Sequence, residues 1–321
     1  MDEIILLTGA TGKIGSKVLE ILLAKKRRVR ALVHRTAPAI EHRNLETVQG
    51  SLLEPETLRE AVKGCNRICH LAAAFDLFPP ARYEADDEFQ WKANLEGTFH
   101  LAQAARKLDG LKAFLFASTD ATYATGSRKF DRIITEDTEL VAGRFYGLMK
   151  VMGEVMLEHF RKLYGFPCAV VRFCWTLSED DALKIYEYET WEGSLIGEDK
   201  ERLGTACAGG RDLLCPVYAD GRSVVDHVAD ADDIAQGVVK ALLAPKAIGG
   251  TFNLAGPAPF KHTDVVKVAS EGLGVPYHKG VVKGVYPYKI SIARARRVFG
   301  YAPRFSAADT IRKAVAKLLG R

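Results

Sequence analysis

In Phe145-Tyr146-Gly147-Leu148-Met149-Lys150 a phenol and an ammonium group stand four residues apart. On a helix that spacing puts both side chains on one face, one turn from each other. A Lys cation held beside a Tyr favours the phenolate and is expected to lower the phenol's pKa from its ordinary value of roughly 10. Tyr146 could then give or take a proton near neutral pH. The same spacing arises by chance on exposed helices, so its meaning depends on what the rest of the chain builds around it.

A second chemistry is written at the amino-terminal end. The apolar run Ile4 to Leu7 leads into Thr8-Gly9-Ala10-Thr11-Gly12-Lys13-Ile14-Gly15, followed by the helical pattern Val18, Leu19, Ile21, Leu22. Strand, glycine-rich turn and helix is the order of a dinucleotide site. Gly9 can make the tight turn, Gly12 admits a pyrophosphate to the backbone, and Gly15 lets the helix pack close to the strand. The phosphates would lie against the free N–H groups of the helix terminus.

Further elements must hold these groups. Val29 to Val33 reads as a second strand that runs into His34-Arg35 with no Asp or Glu. An acid there would accept from the ribose 2′-hydroxyl of NAD, whereas a basic residue accommodates the 2′-phosphate of NADP. NADP is therefore favoured over NAD, with Arg35 as the phosphate contact. Leu45 to Val48 with Gly50-Ser51-Leu52 reads as a third strand and its turn. Glu54 to Val62 reads as a helix, and Arg67 to Leu71 as a strand ending in the small residues Ala72 and Ala73, which leave room for a ligand. The loop Phe75-Asp76-Leu77-Phe78-Pro79-Pro80 is too apolar to be freely solvated. A helix is expected from about Asp87 to Lys107, carrying Asn94. The strand Lys112 to Ala117 then leads to Ser118-Thr119-Asp120, whose hydroxyls could bond a substrate oxygen or cap a turn.

Composition sets bounds. The chain has 321 residues, 48% hydrophobic and 26% charged, with a net charge of +5 spread along its length. That is a globular composition, long enough for one large α/β domain and a smaller one. No block of like charge suggests a nucleic-acid partner, and no apolar run is long enough to cross a membrane. A cytoplasmic location is expected. The six cysteines show no metal-binding spacing and read as mostly buried thiols.

Together these motifs resemble the extended short-chain dehydrogenase/reductase family, often labelled NAD-dependent epimerase/dehydratase. The resemblance rests on Thr8-Gly9-x-x-Gly12-x-x-Gly15, His70-Leu71-Ala72-Ala73, Asn94 before Gly97-Thr98, Ser118-Thr119 and Tyr146-x-x-x-Lys150. It continues through Val225-Asp226-His227-Val228-Ala229-Asp230, Thr251-Phe252-Asn253-Leu254-Ala255 and a closing segment from Ile292 to Pro303, with a terminal helix from Ala307. It implies a doubly wound parallel-sheet Rossmann domain (1–173 and 228–256) with a smaller carboxyl-terminal α/β substrate domain (174–227 and 257–321). It also implies Tyr146 as general acid/base, Lys150 as the group that tunes it and holds the nicotinamide ribose, Thr119 rather than Ser118 as the orienting hydroxyl, and Asn94 as support for a water-linked proton path. Cofactor contacts are expected from Gly9, Thr11, Gly12, Lys13, Ile14, His34, Arg35, Ser51, Leu52, Leu71, Ala72, Ala73, Lys150 and Phe173.

Departures from the family limit the substrate. Asp120 after Thr119 is similar to the sugar-nucleotide dehydratases, but Ala121 stands where those enzymes place a Glu, so elimination lacks its second carboxylate. After Val170 to Phe173 the chain reads Cys174-Trp175-Thr176-Leu177 instead of an Asn and a Gly-Pro turn. Val285-Tyr286-Pro287-Tyr288-Lys289 has no clear counterpart to a diphosphate-gripping Arg. Ser118, Asp120, Trp175 and Arg222 remain candidates to touch a small-molecule substrate, and Tyr186, Tyr188 and Trp191 either line that pocket or form core. The expected activity is an NAD(P)-dependent oxidoreductase. Alternatives are an epimerase that retains NAD and a non-catalytic NAD(P)-sensing protein. The helix from Arg144 to Tyr164 has an apolar arc wider than one core stripe, and with the Asn94 helix it predicts a homodimer through a four-helix bundle. No metal site is expected.

Overall fold

The computed structural model describes residues 3–75, 86–207 and 212–321. The first strand, β1 (Ile4–Thr8), passes through the glycine loop into α1 (Lys13–Ala24), whose Val18, Leu19, Leu22 and Leu23 form the buried stripe. Then come β2 (Arg28–Val33), β3 (Leu45–Gln49), α2 (Pro55–Val62) and β4 (Arg67–His70). The helix expected from Asp87 to Lys107 is broken into α3 (Asp87–Gln90), a π-helical stretch Trp91–Glu96 and α4 (Gly97–Ala105). The widened turn carries Asn94, whose amide clasps the backbone of Ala74 on both sides: Nδ2 donates to Ala74 O at 2.9 Å and Oδ1 accepts from Ala74 N at 2.7 Å. A π-turn inside a helix is a common mark of a functional position.

Next are β5 (Ala113–Thr119), α5 (Phe145–Tyr164), β6 (Cys168–Phe173) and β7 (Trp175–Leu177). After α6 (Tyr188–Trp191), α7 (Asp199–Cys207), β8 (Leu213–Val217), β9 (Val225–Asp226) and β10 (Val228–Asp230), the chain returns through α8 (Ala231–Leu243) and β11 (Thr251–Leu254). It closes with β12 (Phe260–Lys261), α9 (His262–Leu273), β13 (Tyr277–Val281), α10 (Ala293–Phe299) and α11 (Ala307–Leu318).

Among the described residues the main sheet has seven parallel strands in the order β11-β6-β5-β4-β1-β2-β3. The order reverses between β1 and β4, and ligands of doubly wound sheets bind at such a reversal, beyond the strands' carboxyl ends. One core, with Leu19, Leu22, Ile234, Val238 and Phe252, packs α1, α8 and α10 on one face. The other, with Leu58, Leu101, Phe114, Phe116 and Leu157, packs α2, α4 and α5 on the opposite face. Two smaller clusters join the short strands of 174–227 to α9, α11 and β13. The fold is the doubly wound α/β arrangement expected. The predicted loop segment Asp76 to Pro80 lies outside the described residues.

Candidate active site

Gly9 ends β1 with φ +73°, in the left-handed region that favours glycine. A Cβ there would meet Ala72 N at 2.8 Å, and one on Gly15 would collide with the Gly9 carbonyl. The loop after β1, the loop after β4 and the start of α1 therefore close on one another with no room for side chains. No side chain caps α1 at Gly12, so its first amides are left for an anion. A nicotinamide dinucleotide's pyrophosphate fits this cradle.

Behind the cradle a buried hydrogen-bond chain fixes both loops. Thr98 donates to Asn94 O at 2.7 Å, so its oxygen accepts from His70 Nε2 at 3.0 Å. His70 Nδ1 then accepts from Thr8 Oγ1 at 2.8 Å, and Thr8 Oγ1 accepts from Ala72 N at 3.2 Å. Burial, with Lys150 nearby, pushes the His70 imidazole down to about 3, so it stays neutral as this chain of donors requires.

A cavity of about 600 Å³ opens from this cradle. Gly9, Gly12, Lys13, Ile14, Leu71, Ala73, Lys150 and Phe173 line it, as do Ser118, Thr119, Asp120, Tyr146 and Trp175. Of the other expected cofactor contacts, Thr11 is exposed beside the loop, Ala72 forms the wall behind Gly9, and His34, Arg35, Ser51 and Leu52 sit beyond the ends of β2 and β3. Lys13 is tied across to the following half of the chain, ion-paired to Asp181 and donating to Thr176 O at 2.9 Å. Asn94 stands behind the wall at Ala74.

Tyr146 and Lys150 lie on the first turns of α5. Gly147 lets that terminus lie against the turn after β5, where a Cβ would meet Ala121 O at 2.7 Å. Phe75 stacks on the Tyr146 ring with centroids 4.1 Å apart. Lys150 Nζ donates to Ala117 O at 2.8 Å and sits 5.7 Å from the Tyr146 ring centroid. The expectation that Lys150 lowers the phenol's pKa is corrected here. Burial, then the charge of Asp120, pushes Tyr146 up, and burial pushes Lys150 down to about 8 against the pull of Glu154. Desolvation dominates both shifts, so in the protein alone the Tyr146 phenol keeps its proton.

The two hydroxyls at the end of β5 point to different partners. The Ser118 hydroxyl donates a hydrogen bond to Glu154, which is also held by Arg172 through Nε at 3.0 Å and Nη2 at 2.5 Å. Arg172 Nη1 donates to the Tyr123 hydroxyl, which donates to Asn253 Oδ1 at 2.9 Å. Ser118, expected to touch substrate, thus has its hydroxyl committed to this buried network. Thr119 is half-exposed to the cavity; its Oγ1 accepts from Ala121 N at 3.2 Å and donates to Asp120 Oδ1 at 3.3 Å.

Asp120 also accepts from Thr125 at 3.0 Å, and burial outweighs these hydrogen bonds to push it up to about 7. Arg222 is not part of the wall. Its side chain is 79% exposed and paired with Asp220 at 2.6 Å, because the tight turn at Gly221 carries it into solvent. Trp191 lines the cavity, whereas Tyr186 is buried behind it and Tyr188 bonds Lys200 O at 3.1 Å. Among the lining residues that sequence reasoning missed are Thr125, Asp226 and Tyr288. The signal for Asp226 was present: an Asp set among valines in Val224-Val225-Asp226-His227-Val228 is buried only when something pairs with it.

Among the described residues no group of three or more His, Cys, Asp or Glu could hold a metal ion, and no helix is long and apolar enough to cross a membrane. All six cysteines are free and buried. The glycine cradle at the strand-order reversal, with the Tyr–Lys pair beside it, defines a class, the dinucleotide-binding α/β enzymes. The profile of the NAD dependent epimerase/dehydratase family matches residues 5–255, and the chain belongs to that family. It is an enzyme.

A short-chain dehydrogenase/reductase superfamily protein from Agrobacterium tumefaciens, solved with bound NAD, superposes with a TM-score of 0.83 at 26% identity over 99% of this chain and 100% of that one. An uncharacterized UDP-glucose epimerase of Bacillus subtilis is 24% identical over 98% of this chain and 97% of its own length. An L-arabinose 1-dehydrogenase (NAD(P)(+)) of Haloferax volcanii is 27% identical over 55% of this chain and 68% of its length. An uncharacterized protein of Sinorhizobium fredii is covered over only 39% of its length.

Proposed function

We propose that this protein is an NAD(P)-dependent oxidoreductase that interconverts a hydroxyl and a carbonyl group on a small molecule. The observation that carries the reading is the convergence of Tyr146, Lys150 and Thr119 on one cavity wall that continues into the glycine cradle. A nicotinamide dinucleotide bound there supplies or accepts hydride. Gly9, Gly12 and Ile14 would hold its pyrophosphate, Leu71, Ala73 and Phe173 its nicotinamide end, and Lys150 its ribose. Thr119 orients the substrate oxygen, and Tyr146 gives that oxygen its proton in reduction or takes it in oxidation. A protonated phenol suits reduction directly. In oxidation a positive charge brought near Tyr146 would have to offset the desolvation that holds its proton.

The end of β2 supports NADP, with Arg35 on the 2′-phosphate, because no acid stands where the ribose of NAD would be read. An epimerase is the second reading, favoured by the full-length likeness to the Bacillus subtilis relative. The division into a Rossmann domain (1–173, 228–256) and a substrate domain (174–227, 257–321) is supported by β11 joining the main sheet beside β6. Leu148, Val155 and Leu163 of α5, with Phe99 of α4, leave exposed apolar surface, and a homodimer through these helices would bury it. Sedimentation that finds only monomer at micromolar concentration contradicts that assembly. A cytoplasmic location accords with this reading.

The test of the activity is Tyr146→Phe, which keeps the ring and its stacking on Phe75 but removes the proton. Turnover followed by the absorbance of the reduced nicotinamide should fall about 10²- to 10⁴-fold with cofactor affinity unchanged. Turnover within a few-fold of wild type would overturn the role of Tyr146.

A further inference from the structure

The cavity extends past Tyr146 to a second carboxylate, Asp226, that the reaction just described does not use. Asp226 is 4% exposed, and its Oδ2 pairs with His262 Nε2 at 2.9 Å; His262 is fully buried. The other carboxylate oxygen has no hydrogen-bond partner among the described residues. Tyr186, Tyr218 and Tyr288 lie within electrostatic reach of Asp226. Among the described residues the Tyr186 hydroxyl, on a side chain with no exposed surface, has no hydrogen-bond partner, nor does His262 Nδ1. Buried polar groups are almost always paired in native proteins, by protein, water or ligand. Tyr186 and His262 are not among the lining residues, whereas Asp226 lies on the wall, held through one carboxylate oxygen, and is placed to receive a polar group.

The charges around it narrow what that is. Among the described lining residues the cations are Lys13, Arg144 and Lys150. Lys13 is paired to Asp181, Lys150 bonds Ala117 O at the cofactor end, and Arg144 is exposed at the start of α5. A diphosphate or carboxylate entering beyond Tyr146 would face Asp226, and Asp120 once it ionises above about pH 7, with Arg144 to offset them, whereas a neutral hydroxyl would find acceptors. A cationic ligand is disfavoured by the Lys150 ammonium in the same cavity. Trp175, Trp191 and Tyr288 supply flat apolar walls with polar edges, which suit the C–H faces of a polyhydroxylated carbon chain or ring.

We propose that Asp226, held by His262, reads a hydroxyl of an unphosphorylated sugar or polyol, whose neighbouring hydroxyl or carbonyl is the one addressed by Thr119 and Tyr146. The proposal rests on the oxidoreductase reading above and names its substrate class. Asp226 accepts the hydrogen bond through its free oxygen. It determines specificity and takes no part in proton or hydride transfer.

The test compares L-arabinose and D-galactose with UDP-glucose. Initial rates are measured with NAD and with NADP, and each compound is titrated by calorimetry into the cofactor-saturated protein. The expected result is that a free sugar binds and exceeds UDP-glucose in kcat/KM by about tenfold or more. Asp226→Asn, which still offers His262 an acceptor, should lower kcat/KM for that sugar about ten- to a hundredfold, mainly through KM, with cofactor affinity unchanged. If Asp226→Asn no longer binds cofactor, Asp226→Ser takes its place with the same expected loss. Preference for UDP-glucose, no binding of either free sugar, or Asp226 variants within twofold of wild type would overturn the proposal. Those outcomes leave the oxidoreductase reading to the Tyr146→Phe experiment, which fails or succeeds whatever Asp226 does.

Discussion

The two ends of the cavity are built from different material. At the cofactor end the surface is backbone: Gly9, Gly12 and Gly15 bring two loops and a helix terminus together at separations a side chain would prevent. Beyond Tyr146 the surface is side chains, Asp120, Trp175, Asp226 and Tyr288, delivered by four separate stretches of chain. A backbone cradle reads a group common to many ligands and tolerates almost no substitution. A side-chain wall can be changed one residue at a time and so carries the individuality of the enzyme.

If that contrast is right, the largest effect should come from the cradle. Gly9→Val puts a β-branched residue at φ +73° and drives its Cβ into Ala72. Cofactor affinity by fluorescence titration should fall more than about a hundredfold, and wild-type affinity in that variant would show that the loop is not the binding surface.

The next effect should be structural and lie beneath both ends. Glu154→Ala strands Arg172, with 5% side-chain exposure, and leaves Ser118 without its acceptor. Breaking a buried pair in this way costs about 3–5 kcal/mol, readable as a lower midpoint in urea. A loss below about 1 kcal/mol would mean that the network is wet and replaceable.

The third effect depends on pH and is spread over several pH units. Asp120 is held up to about 7 by burial, above its unfolded value of about 4. The folded protein therefore binds this proton more tightly than the unfolded chain does. The stability linked to it is full below about pH 4 and declines as pH rises toward 7, by a total on the order of 4 kcal/mol. Asp120→Asn should flatten that decline in thermal melts between pH 4 and 8. A slope unchanged by the substitution would mean that Asp120 is solvated and that the cavity beside Tyr146 is wetter than its burial implies.

The same contrast explains what could be read in the sequence. Strand, glycine turn and helix are local in sequence, so the Gly9 to Gly15 loop was legible, as was the placement of Tyr146 and Lys150 on one helix face. The direction of the Tyr146 pKa was not. It depends on burial under Phe75 and on Asp120, which the spacing of Tyr and Lys does not encode. Arg222 and Asp226 show the other limit. Both border the same strand, and only the turn at Gly221 and the distant His262 decide that one faces solvent and the other the cavity. The π-turn at Asn94 escaped because it is set by the backbone of Ala74, twenty residues away.

Net oxidation or reduction, as opposed to epimerisation, requires a cofactor that arrives and leaves with each turnover. The direct measurement is mass-spectrometric identification of any nucleotide retained by the purified protein, followed by equilibrium titration with NADP and with NAD. The account predicts no stoichiometric retained nucleotide, reversible binding, and NADP bound more tightly than NAD, with the difference removed by Arg35→Ala. Stoichiometric NAD that survives purification would contradict it and point to an enzyme that returns its hydride to the same substrate.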